Sequence, residues 1–201
     1  MNKSMLITWN IRGLCRWEKK VVVRKLVTRT KSKIVFLQET KLRSVEVKTI
    51  SQLCGRRCNF EFKFSASVGA AGGLISCWDS SFFSNERCVI EQNFIGLIGK
   101  YAGSDLKCAL INVYGPNVAS ERRVFFDRLA TLISKIELPV LIGGDFNIVR
   151  NAEEKIGASF NKKSMAVFSE FIEGLTLIDP PLRGSFHLVE LQGSTIIQQT
   201  G

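Results

Sequence analysis

The chain has 201 residues, with 28 Lys plus Arg against 18 Asp plus Glu, six cysteines and one histidine. That length suits one domain, and 45% hydrophobic with 23% charged residues excludes a disordered polymer. A single histidine excludes His-rich metal sites and devices needing two imidazoles, while a formal charge of +10 favours a polyanionic partner without fixing a fold.

Met5 to Trp9 reads as a buried strand and Lys33 to Leu37 as a second. Between them, Trp17 to Thr30 predicts a helix whose apolar face carries Trp17, Val21, Val22 and Leu26. Strand, helix, strand is the opening of an α/β domain. Phe60 to Phe64 alternates apolar and polar residues, and Gly73 to Trp78, Cys88 to Glu91, Ile95 to Tyr101 and Leu106 to Tyr114 add short strands suited to antiparallel meanders. Ser120 to Ile136 predicts a helix with Ser120 as N-cap and Phe125, Leu129, Leu132, Ile133 and Ile136 on its buried face. Pro139 to Ile142 is then a buried strand, and Lys163 to Gly174 a helix burying Val167, Phe168, Phe171 and Ile172. Stacked sheets flanked by helices are expected.

The cysteines, at 15, 54, 58, 77, 88 and 108, show no Cys-x-x-Cys spacing, and several lie in apolar runs. They read as reduced core thiols. Met1 to Asn10 holds no long apolar signal segment, and no run approaches the ~20 residues of a membrane span. A soluble, unsecreted protein of nucleus or cytoplasm is expected, with no membrane partner and a monomeric state.

Polar residues follow four of the apolar strands: Asn10 after the first, Glu39 after the second, Tyr114 at the end of Leu110 to Val113, and Asp145 with Asn147 after Val140 to Ile142. Taken singly, each has an ordinary use as turn residue, solvated charge or aromatic plug. Repeated at strand ends, they form a coherent chemical set. A carboxylate with amide oxygens suits a hard cation such as Mg²⁺, which keeps several waters and binds phosphate oxygens. A second carboxylate beside an amide can orient a water for attack on phosphorus.

The motifs Trp9-Asn10-Ile11-Arg12-Gly13-Leu14, Leu37-Gln38-Glu39-Thr40-Lys41, Asn112-Val113-Tyr114-Gly115-Pro116 and Gly143-Gly144-Asp145-Phe146-Asn147, with Gly72-Gly73-Leu74 before Trp78, follow in that order. From about Met5 to Phe186 the sequence resembles the endonuclease/exonuclease/phosphatase superfamily of deoxyribonuclease I and apurinic/apyrimidinic endonucleases. Within it, the sequence is most similar to the endonuclease domains of plant non-LTR (LINE-type) retroelement polyproteins. The resemblance implies a four-layer α/β sandwich of two mixed, mainly antiparallel sheets flanked by helices. It implies Glu39 as principal Mg²⁺ ligand with Asn10 beside it, Mn²⁺ being an alternative ion. It implies Asp145 orienting or deprotonating water, Asn147 steadying the phosphate and Tyr114 donating a hydrogen bond to it. DNA phosphodiester hydrolysis by in-line displacement would follow. Arg12 and Lys41 flank these positions as candidate phosphate contacts, or as plain solvated charges.

The sequence departs from the family at its end. The expected Ser-Asp-His triplet is absent, and the lone His187 stands in Ser185-Phe186-His187-Leu188-Val189. Related plant elements continue the Pro181-Leu182-x-Gly184 stretch with Phe-Thr-Trp-Ser. If Phe186 to Val189 are written with the permitted codons TTT-CAC-TTG-GTC, reading one nucleotide later gives those four residues. A frameshift or misplaced splice boundary near Phe186 is therefore expected, dividing a truncated domain (1–186), lacking its last strands, from an out-of-frame tail (187–201). A transcript whose +1 frame lacks Phe-Thr-Trp-Ser refutes this. Impaired activity is the consequence, with a catalytically dead nucleic-acid binder and a phosphatase of the same fold as alternatives.

Overall fold

The computed structural model describes residues 6–55, 59–69, 71–148, 162–178 and 195–199. Strand β1 (Leu6–Asn10) leads through helix α1 (Trp17–Thr30) to β2 (Ile34–Gln38), followed by α2 (Val47–Cys54), β3 (Phe60–Val68) and β4 (Ala71–Asp79). These strands form one sheet in the order β1-β2-β4-β3. The β1/β2 pair is parallel, and the other two pairs are antiparallel. The second sheet contains β5 (Phe83–Ile90), β6 (Phe94–Tyr101), β7 (Lys107–Tyr114), β8 (Val140–Asp145) and β9 (Thr195–Gln199), in that order. Helix α3 (Ala119–Ile133) carries the crossover between the parallel strands β7 and β8, and α4 (Lys162–Gly174) follows them.

Every residue of β2 is buried. A strand covered on both faces has no use for alternation, so its sequence is an unbroken apolar run. Between the sheets lie Ile34, Phe36, Leu74, Trp78, Phe83, Ile95, Leu97 and Leu110. Outside the first sheet, Val23, Leu26 and Val27 of α1 and Ile50 and Leu53 of α2 cover Val35, Leu37 and Ile75, with Phe60, Phe62 and Phe64 of β3 at the margin. Outside the second, Phe125, Phe126, Leu129 and Ile133 of α3 meet Phe168, Phe171 and Ile172 of α4 over Ile111, Val113 and Ile142. The order is helices, sheet, sheet, helices, as expected from the sequence.

Several local readings change. Helix α1 has the expected bounds, but its buried stripe is Val23, Leu26, Val27 and Thr30, and Trp17 and Val22 are exposed. Helix α3 has Val118 as N-cap, so Ser120 lies within the first turn, and Ile136 falls beyond the helix end. Helix α2 was not anticipated. Of the cysteines, Cys54, Cys77 and Cys108 are buried free thiols, Cys88 is half-buried and Cys15 is exposed. Cys58 lies outside the described residues. So do Phe186, His187 and the proposed break between them, although β9, from the tail beyond, pairs antiparallel with β8 from Val140/Gln199 to Gly144/Thr195. Among the described residues no helix is long and apolar enough to cross a membrane.

Candidate active site

Each sheet contributes one parallel pair, and the pairs end level. Asn10 is in register with Gln38 at the end of β1 and β2, and Tyr114 with Asp145 at the end of β7 and β8. The two pairs meet directly, because Asn10 Nδ2 donates to Asp145 Oδ2 at 2.5 Å. Beneath that bond, Gln38 Nε2 donates to Asn112 Oδ1 at 2.7 Å, and the Asn112 amide reaches back to the Ile75 carbonyl at 3.0 Å. Gln38 and Asn112 are fully buried, so these amides fix how the sheets sit on one another.

The loops after β1 and β2 run side by side. The Ile11, Gly13 and Leu14 N–H groups donate to the carbonyls of Gln38, Glu39 and Thr40. The Thr40 and Lys41 N–H groups in turn donate to Gly73 and Gly72 at 3.0 Å each. A Cβ on Gly73, which has φ +88°, would lie 2.5 Å from Thr40 Oγ1, so only glycine allows this approach. Among the described non-glycine residues, positive φ occurs at Arg12 (49°), Glu39 (52°), Lys41 (58°), Asn147 (54°), the α1 C-cap Lys31 and Thr176. The first four are all site positions expected from the sequence. A strained backbone costs roughly 1–3 kcal/mol per residue and persists where surroundings over-determine it. Lys19 of α1 adds to that constraint, its ammonium bonding the Ile11 and Arg12 carbonyls at 2.6 and 3.1 Å. Lys41 Nζ pairs with Glu39 Oε1 at 3.2 Å.

On the second sheet, Asp145 Oδ1 accepts the Asn147 N–H at 2.8 Å. The Asn147 amide donates to the Gly115 carbonyl at 2.6 Å, and the Gly115 N–H to the Asp145 carbonyl at 2.7 Å. Arg122, in the first turns of α3, holds this group from behind. Its guanidinium donates to the carbonyls of Pro116 (3.2 Å), Asn117 (3.2 Å) and Asn147 (3.1 Å). Asn117 Nδ2 approaches the Tyr114 hydroxyl at 3.4 Å.

The two halves are also coupled electrostatically. Burial raises the Asp145 pKa above the ordinary carboxylate value, and the Glu39 charge adds to that. The bonds from Asn10 and the Asn147 N–H, together with Arg12, act against it. Burial likewise raises the Tyr114 phenol, with Glu39 and Asp145 adding to the shift against hydrogen bonds from Asn117 and Asn147. Tyr114 is therefore a proton donor at neutral pH. Two carboxylates that repel one another in a polar recess are relieved by a cation. Among the described residues no three His, Cys, Asp or Glu side chains cluster as a ligand cage. The donor set fits an ion that keeps most of its waters and takes one or two carboxylates, as Mg²⁺ does.

The structure thus gathers Asn10, Glu39, Tyr114, Asp145 and Asn147, with Arg12 and Lys41 exposed at the rim. Lys19, Asn117 and Arg122 were not anticipated. The Pro116-Asn117 turn held a signal for Asn117; Lys19 and Arg122 act on carbonyl oxygens, which leave no mark in side-chain identity.

Four layers with polar strand ends converging from two parallel pairs define the deoxyribonuclease I-like class of folds. Residues 7–186 match the Endonuclease/Exonuclease/phosphatase family, and the chain belongs to it. Its structure is similar to a 3′ phosphatase from Neisseria bound to product DNA hairpin, with a TM-score of 0.70 and 14% identity over 96% of this chain and 85% of that one. It is similar also to an AP endonuclease from Archaeoglobus fulgidus, with a TM-score of 0.69 and 15% identity over the same shares of the two chains, 96% and 85%. At such identities the likeness concerns the fold. In sequence, 130 residues are 27% identical to a Transposon TX1 uncharacterized 149 kDa protein of Xenopus laevis, covering 60% of this chain but only 10% of that protein.

Proposed function

We propose that the chain is a divalent-metal-dependent phosphodiesterase domain acting on DNA, of retroelement type. The observation that carries this reading is the Asn10–Asp145 bond, which joins the two strand-end pairs and sets Asp145 within the field of Glu39. Glu39 would hold Mg²⁺ (or Mn²⁺), with Asn10 beside it through the free lone pair of Oδ1. When bound, the ion supplies charge neutralisation at the phosphate oxygens. Asp145, fixed by Asn10 and the Asn147 N–H, accepts a proton from water aligned opposite the leaving oxygen. Tyr114 donates a hydrogen bond to a non-bridging phosphate oxygen, and the Asn147 amide steadies the same group as charge develops. Arg12 and Lys41 at the rim contact flanking phosphates. The similarity to a transposon protein and the DNA-bound phosphatase neighbour support a nucleic-acid substrate.

Turnover is slow in this reading. In it the frame change near Phe186 displaces the Asp-His pair that would complete the constellation, and loss of one member of a jointly acting set costs orders of magnitude. The residues from about His187 onward belong to a shifted frame, which transcript sequencing tests. Nicking of supercoiled plasmid in Mg²⁺ tests the activity: the chain converts plasmid to open circles slowly, and Glu39→Gln abolishes this by at least about a hundredfold. Plasmid binding without nicking in either protein favours the dead-binder alternative. Release of phosphate from a 3′-phosphorylated oligonucleotide without nicking favours a phosphatase.

A further inference from the structure

We propose that the solvent face of α1 is a binding surface for single-stranded nucleic acid adjoining the active site. The first observation is where the charge resides. Residues 6–55 contain twelve Lys and Arg against three Asp and Glu, whereas residues 59–201 contain thirteen against fifteen. The chain's positive excess thus belongs to one outer layer, α1 with α2 and their loops.

The second is how that charge is used. On the opposite layer the three arginines of α3 have partners: Arg123 with Glu170 at 3.5 Å, Arg128 with Glu91 at 4.0 Å, and Arg122 on three carbonyls. The exposed lysines of that layer, Lys135 and Lys163, stand apart, one after α3 and one on α4. On α1, Arg24 and Lys25 are exposed and make no hydrogen bond or ion pair among the described residues. Uncompensated cations on one face attract a polyanion.

The third is an aromatic among them. With Val23, Leu26, Val27 and Thr30 turned inward, the 3.6-residue period places Trp17, Arg24 and Lys25 together on the opposite face. Trp17 is 55% exposed. It stands in the turn that Lys19 ties to the Ile11 and Arg12 carbonyls, so the row begins at the active-site loop and runs about 12 Å outward. Cations beside an open indole suit a strand that offers both phosphates and unstacked bases. A duplex keeps its base faces covered and gives Trp17 nothing to stack on.

The test is fluorescence anisotropy with the full chain, a labelled twelve-nucleotide oligothymidylate and a labelled duplex, titrated with salt in the absence of divalent metal. Replacing Arg24 and Lys25 together by Ala lowers single-strand affinity about tenfold and flattens the log affinity against log salt slope by about 1.4, from two phosphates at ~0.7 each. Trp17→Ala lowers single-strand affinity about tenfold with the slope unchanged, and duplex affinity changes less than twofold. Lys135→Ala, on the other layer, changes neither, and circular dichroism melting confirms that all variants fold. An unchanged slope in the double variant, or equal single-strand and duplex losses for Trp17→Ala, overturns the proposal. The surface rests on the proposed function only for its position beside the site, and the two fail separately. Nicking with binding independent of α1 leaves the enzyme without this surface; α1-dependent binding without nicking leaves the surface without the enzyme.

Discussion

The two halves of the site are held in different ways. The half from the first sheet, Asn10 to Lys41, is shaped mainly by backbone: three left-handed residues, loop-to-loop amide bonds and one glycine, Gly73, that allows close approach. The half from the second sheet has one left-handed residue, Asn147, and adds to its backbone contacts a larger side-chain brace. Arg122 holds three carbonyls and Asn147 spans the loops after β7 and β8, where the first half has Lys19 on two carbonyls. A backbone-shaped loop changes only through conformation, so its failures should be structural. A side-chain brace can be removed without moving strands, so its failures should be functional and chemically reversible.

The largest expected effect attacks the backbone half. Gly73→Ala places a Cβ 2.5 Å from Thr40 Oγ1 at a φ of +88°. Backbone strain and overpacking together cost about 3 kcal/mol, lowering the melting temperature by roughly 6–12 °C for a chain of this size. Differential scanning fluorimetry measures this, and the nicking rate should fall with it. A melting temperature within a degree of the parent would mean that Gly73 does not shape the loop.

A smaller effect is expected from the other half. Arg122→Ala removes three donors from a half-buried brace, lowering the nicking rate about 10–100-fold at saturating DNA with a stability loss of about 1–2 kcal/mol. Added guanidinium ion at low millimolar concentration should restore part of the rate to this variant and none to Glu39→Gln. Rescue of neither would mean that Arg122 does not act by holding Asn117 and Asn147.

The smallest effect separates a site carboxylate from a structural one by pH. Burial would raise the Asp79 carboxyl, but hydrogen bonds from Lys33 and Ser81 outweigh it and the net shift is downward. Its stabilisation is therefore present above the unfolded pKa of about 3.9 and is lost as pH falls through the folded value. Asp145 is shifted upward, so its contribution is full below about 3.9 and is lost as pH rises through the folded value. Melting temperatures measured from pH 3 to 7 should show Asp79→Asn falling further behind the parent as pH rises, and Asp145→Asn gaining on it. Parallel curves for the two variants would mean that the site carboxylate is not strained by its surroundings.

Much of this was legible in the sequence because its causes are local. An apolar run closed by one polar residue marks a strand end, and four such ends gave Asn10, Glu39, Tyr114 and Asp145. The lower resolution of other readings has physical reasons. The run Val21-Val22-Val23 gives α1 no unique apolar stripe, so tertiary packing chose Val23 over Val22. Helix α2, eight residues long and without a side-chain cap, leaves little local signal. Ser120 has a capping side chain, yet the chain enters α3 two residues earlier through Val118. Arg122 looks like any charge in Ser120-Glu121-Arg122-Arg123 until its acceptors, main-chain oxygens from two loops, are seen in space.

The buried amides of Gln38 and Asn112 have a consequence for assembly. Each lies on a different sheet, and neither finds the other until the sheets have stacked. A sandwich slipped by one residue would bury these amides against aliphatic neighbours, and unmatched polar groups in that setting are costly. The pair therefore acts as a key that admits one alignment of the two sheets. The site joins strand ends from both sheets, so neither βαβ unit alone contains it, and the alignment that the amide pair selects is also the one that brings Asn10 to Asp145.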